Sequence, residues 1–103
     1  MDFYIGWKGF SMQKIRTTVK IAGKEYNITG YDPEEHVQRV AEYVDRKMNE
    51  LALATRLPPA QLAVLTAVNA SDDMIKSRDE IRRLRQEVEE LRAALEKRNH
   101  EEA

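Results

Sequence analysis

The sequence predicts an α+β fold: a small β-hairpin plus helix head, followed by a long C-terminal helix that forms a parallel coiled coil. Three observations carry this expectation. Residues 15–28 alternate apolar and polar side chains around a glycine. Residues 34–51 repeat apolar side chains at helical spacing, and residues 78–95 carry a narrow seam with a three-four repeat. At 103 residues the chain has room for one small domain and an extended element.

The hairpin comes first. Ile15, Thr17, Val19 and Ile21 share one face, with Arg16, Thr18 and Lys20 on the other, and Tyr26 and Ile28 resume the alternation after Gly23. Strands over 15–22 and 25–29 joined by a tight reversal satisfy this pattern. A lone hairpin is marginal in water and needs a helix laid across it. The next segment supplies one: Asp32 is placed to cap it, Pro33 suits the first helical position, and Glu35 completes a capping box. Val37, Val40, Ala41, Val44, Met48 and Leu51 form its apolar side. "RLPPAQ" ends it, because each proline removes a donor and restricts the residue before it.

A second helix then starts near Pro59 or Ala60 and meets no Pro or Gly afterwards. Its beginning is apolar almost all round, with Leu62, Val64, Leu65 and Val68 pointing in different directions. A head of residues 13–57 is too small to cover all of that surface, so the stretch is expected to pack on its own head and on a second chain together. The helix is expected over 58–98, with the coiled coil from about residue 74 and a short tail at 99–103.

The coil specifies its partner. Ile81, Val88 and Leu95 fall at heptad position a, with Leu84 and Leu91 at d; mostly β-branched a and leucine d favour two parallel strands. Arg78, Arg85 and Arg92 occupy e, while Asp73, Glu80 and Glu87 occupy g. Parallel chains then pair Asp73 with Arg78, Glu80 with Arg85 and Glu87 with Arg92, whereas antiparallel chains oppose like charges. The expected partner is a second copy, parallel and in register, with Leu65 and Val68 joining the five seam residues at the dimer interface.

Composition closes off other classes. With 34% charged and 7% aromatic residues the chain leans toward long solvated helices, and a net charge of -1 draws it to neither nucleic acid nor anionic membrane. There is no cysteine, no apolar run of membrane-spanning length and no secretory pattern, so the expected compartment is the cytoplasm. His36 and His100 have no nucleophile beside them, and Asp72 and Asp73 diverge by about 100° on a helix. No catalytic, cofactor or metal site is expected. A coiled-coil nucleic-acid binder would place cations just before its zipper. Here that place reads "NASDDMIKS", which is acidic.

"VKIAGKEYNITG", "VAEYVDRKMNEL" and "LAVLTAVNASDDM", in this order, resemble the ZapA family of bacterial cell-division proteins over residues 14–97. The resemblance implies a non-enzymatic protein at the mid-cell division ring that binds the tubulin-like GTPase FtsZ and bundles its filaments. It also implies tetramers in which two parallel dimers join antiparallel. Carried over residue by residue, its filament-binding cations fall on Lys24, after Gly23 in the hairpin turn, and Arg56, before the prolines. Asn27 and Ala52 depart from the basic pattern. The plainer reading makes Lys24 a solvated turn lysine and Arg56 a cation favoured at a helix C-terminus. The alternative function is a coiled-coil dimerisation module for nucleic acid or another structural partner.

Residues 1–12 lie outside that resemblance. They read as an N-terminal extension or expression remnant, with Met12 a natural start. Their apolar residues Tyr4, Ile5, Trp7 and Phe10 also offer a strand for the hairpin edge or a cover for a groove.

Overall fold

The computed structural model describes residues 2–5 and 13–102, in the order β1 (Asp2–Tyr4), β2 (Ile15–Ile21), β3 (Lys24–Gly30), α1 (Glu34–Thr55) and α2 (Pro59–Glu102). Trp7, Phe10 and Met12 fall outside the described residues. Two compact units are present, one running through Ala70 and one from Ser71.

The first unit is built on the hairpin. β2 and β3 pair antiparallel, with Thr17 opposite Ile28 and Val19 opposite Tyr26. The turn takes positive φ at both central residues, Ala22 (51°) and Gly23 (80°), the geometry that matches the twist of the strands. Alanine tolerates that region poorly. Here the strained residue is tethered, because the Ala22 amide donates to Asp45 Oδ1 of α1 at 2.8 Å. The sheet is larger than the hairpin expected from sequence. β1 adds a third strand, parallel to β3, giving the order β1-β3-β2.

α1 lies on β2 through Val37 and Ala41, one helical turn apart, and these two close the core with Val19 and Ile28. Ile5, Ile21 and Tyr26 pack around that cluster, and Gln38 Nε2 donates to the Thr18 carbonyl at 3.1 Å. Val40, expected on the apolar side, is exposed. The helix start also differs from expectation. Pro33 is extended, with ψ 153°, and is itself the cap, so no side-chain cap bond forms and the Asp32–Glu35 capping box is absent. The first turn carries Glu34 and Glu35 instead, which favour the positive end of the helix dipole.

One core position is chemically misfitted. Thr17 is 2% exposed, and its Oγ1 has no hydrogen-bond partner among the described residues. An unpaired buried hydroxyl costs about 1–3 kcal/mol. Thr17→Val, which keeps the shape and removes the hydroxyl, should therefore raise stability by about 1–2 kcal/mol and the melting midpoint by several degrees. Thermal melts at matched protein concentration check this; an unchanged or lower midpoint would show that the hydroxyl is satisfied.

α1 closes with Thr55 Oγ1 donating to the Leu51 carbonyl at 2.7 Å, and Arg56 follows in the left-handed region at φ 57°. Pro59 then opens α2, as suits a first-turn position whose amide would be unpaired anyway. Leu62 and Leu65 are half-buried and Thr66 is buried, donating to the Leu62 carbonyl at 2.7 Å. Val64 and Val68 remain 65% and 58% exposed. One side of this stretch is covered by its own chain and the other is open. The second unit is helix alone, and from Met74 to its described end every residue is exposed.

Candidate functional site

Among the described residues the seam of the second unit has no cover. Ile81, Leu84, Val88, Leu91 and Leu95 are all exposed, recurring along α2 at three- and four-residue steps. A single helix cannot bury such a stripe, and a matching stripe can. Position g behaves less simply than the sequence suggests. Arg83 gathers both Glu80 and Glu87 on its own chain, its Nε reaching Glu80 Oε2 at 3.1 Å. The Arg83 hydrogen bond holds the Glu80 carboxyl below the usual carboxylate range, and Glu80 in turn raises Arg83. A carboxylate lowered in the folded helix adds stability above its ordinary range and loses it on acidification. These intrachain contacts compete with the interchain pairs expected to Arg85 and Arg92.

Parallel register has a direct readout. Ile81→Cys should give near-complete interchain disulfide on mild oxidation, since like a positions face each other in a parallel pair. In an antiparallel pair the two positions lie roughly 20 Å apart by helix rise. Silence from both Ile81→Cys and Leu95→Cys would exclude the parallel coil.

The two candidate cations belong to the first unit. Lys24 is exposed at the first position of β3, across the turn from Ile21. Arg56 is exposed and caps α1, its amide donating to the Ala52 carbonyl at 3.4 Å. They do not form one cluster. The hairpin turn is tied to α1 at Asp45, and the eleven residues from there to Arg56 span roughly 16 Å of helix. Arg56 is notable for its backbone: an arginine in the left-handed region pays a conformational cost that glycine there avoids.

Sequence reasoning passed over a third basic group. Tyr43 lies beneath Arg46 and Lys47, at 5.5 and 5.9 Å from its ring centre. The signal was an aromatic followed at three and four residues by cations, which a helix brings together. It also passed over Leu53, at 89% the most exposed of the large apolar side chains described. Asp72, the first residue of the aspartate doublet, is paired with Lys76 at 2.8 Å along its own helix. Among the described residues no cluster of His, Asp and Glu could hold a metal ion, and no single helix is long and apolar enough to cross a membrane.

Comparison with known proteins bears on this arrangement. The family described as "Cell division protein ZapA" matches residues 17–101. The chain is 47% identical over 73 residues to the cell division protein ZapA of Halalkalibacterium halodurans, covering 70% of this chain and 80% of that protein. It is 44% identical over 68 residues to that of Oceanobacillus iheyensis, covering 65% and 79%. Among solved structures it is similar to a ZapA mutant dimer from Geobacillus stearothermophilus, with a TM-score of 0.60 and 36% identity over 80% of this chain and 98% of that one.

Proposed function

The chain belongs to the ZapA family of cell-division proteins, and from that premise we propose that it is a non-enzymatic FtsZ-binding protein that cross-links filaments. The observation that carries the reading is the uncovered seam with self-complementary charges, joined by helix to a head bearing exposed Lys24 and Arg56. A cross-linker needs at least two heads, and pairing of seams supplies them. The assembly is a parallel homodimer, and two dimers joined antiparallel through their coils make a tetramer with head pairs at both ends. The site of action is the cytoplasmic mid-cell division ring. The solved relative is described as a dimer, which supports the first step of that assembly.

Lys24 and Arg56 act here as the filament contacts, facing an acidic partner. The attraction should weaken with salt, because the Debye length is about 8 Å at physiological ionic strength. Reversing both charges, Lys24→Glu with Arg56→Glu, should abolish co-sedimentation with FtsZ filaments while oligomer mass and helix content stay unchanged. Arg56→Gly sharpens the test by pulling stability and function apart. Relief of the left-handed strain should raise stability by about 1 kcal/mol, while loss of the cation weakens filament binding. A doubly reversed protein that bundles like the parent would make both residues plain surface cations.

A further inference from the structure

We propose that the outer edge of β3 is a strand-docking site: residues 2–5 occupy it as a cap, and a second copy's β3 pairs with it when the cap is displaced. β1 runs parallel to β3, with Asp2, Phe3 and Tyr4 opposite Asn27, Ile28 and Thr29. Beyond the strand, the Ile5 amide donates to the Thr29 carbonyl at 2.9 Å. Alternate side chains anchor the segment on the two faces of the sheet. Phe3 meets Tyr26 at 5.4 Å between ring centres and Ile5 packs on the core cluster, while Asp2 pairs with Arg16 at 3.1 Å.

Gly30 shows that the edge accommodates this occupant. A Cβ there would lie 2.6 Å from the Ile5 carbonyl oxygen and 3.1 Å from Ile5 Cγ1. Gly23 is the glycine with positive φ among the described residues, so the backbone of Gly30 accepts alanine. The clash comes from the cap.

An edge strand presents a row of amides and carbonyls that any extended segment can extend. The occupant shows which segment fits: Phe3-Tyr4-Ile5 places an aromatic and an isoleucine two residues apart on the core side. β3 carries the same pattern in Tyr26-Asn27-Ile28. Two copies of β3 related by a two-fold axis at Asn27 would pair antiparallel, with Tyr26 opposite Ile28 and Glu25 opposite Thr29. Aromatic against β-branched is a favourable cross-strand pair, and no like charges meet. A three-residue cap gives few ladder bonds, which leaves it displaceable.

The test uses the full chain. Gly30→Ala should expel the cap, seen as exchange of the Ile5 amide at least about tenfold faster than in the parent. Sedimentation velocity of the same variant should show species larger than the parent's assembly, growing with concentration. Adding Asn27→Lys, which sets like charges face to face at the two-fold, should return the mass to the parent's. Should Gly30→Ala fail to fold, Ile5→Asp dislodges the cap with Gly30 intact and is read in the same way at position 5. Unchanged exchange in these variants overturns the docking site. Fast exchange with the parent's mass, or large species indifferent to Asn27→Lys, overturns the second copy's β3 as its partner.

Discussion

Val68→Glu is expected to turn the assembled protein into folded monomers, while Leu65→Glu is expected to unfold or dissociate it. The difference follows from where each side chain sits. Val68 is 58% exposed on the single chain, so a glutamate there stays solvated in a monomer and would be buried only in the proposed pairing with a second chain. Leu65 is already half-buried against its own chain, so a charge at that position is stranded whether or not a partner is present. An uncompensated buried charge costs about 3–5 kcal/mol, and a symmetric dimer carries two of them. At 1.4 kcal/mol per factor of ten, even half of that sum weakens assembly by more than about a hundredfold. Sedimentation equilibrium with circular dichroism separates the outcomes. Val68→Glu that keeps the parent's mass would place the interface elsewhere, and Leu53, exposed and apolar at the end of α1, would be the next surface to change.

Much of this architecture was legible because its signals are local. Alternation through Ile15, Thr17 and Val19, the reversal at Gly23 and the proline pair at 58 and 59 each leave a mark within a few residues. The elements they imply differ from the observed ones mainly at their ends. The seam was legible for the same reason, since a three-four repeat is a property of one helix read along its own length. What escaped depends on contacts between segments. Whether Pro33 or Asp32 caps α1 turns on one ψ angle, which composition does not encode. The Ala22–Asp45 tether joins residues that nothing in the pattern associates. β1 was legible only as one of two readings of the N-terminal apolar residues, an edge strand or a groove cover. Three residues are too few for periodicity to decide, and its partner, β3, is parallel rather than the next strand along a hairpin. The candidate cations show the limit most clearly. Lys24 and Arg56 came from resemblance; both are exposed, but roughly 16 Å of helix between the Asp45 tether and Arg56 makes them two separate surface cations rather than one patch.

Cutting the chain after Ser77 should abolish filament bundling while leaving weak filament binding, the opposite dissection from charge reversal on the head. The cut removes residues 78–103, and with them Ile81, Leu84, Val88, Leu91 and Leu95, but keeps Lys24, Arg56 and the whole first unit. Val64 and Val68 survive the cut, so some head pairing through the start of α2 is expected to remain. What disappears is the stripe that holds two heads in one stable assembly. Linked heads bind the same filament more tightly than single ones by a factor on the order of 10² to 10⁴, so the truncated chain should co-sediment only at much higher concentration. Light scattering should show no bundles at the concentrations where the parent bundles filaments. The two experiments read together assign the parts. Charge reversal on the head is expected to keep oligomer mass and lose binding; removal of the coil is expected to lower oligomer mass, abolish bundling and keep residual binding. A truncated chain that bundles filaments as well as the parent would sink the coil as the cross-linking element. The two bridging surfaces would then have to lie on a single head, and the separation between the Asp45 tether and Arg56 would become the dimension to explain.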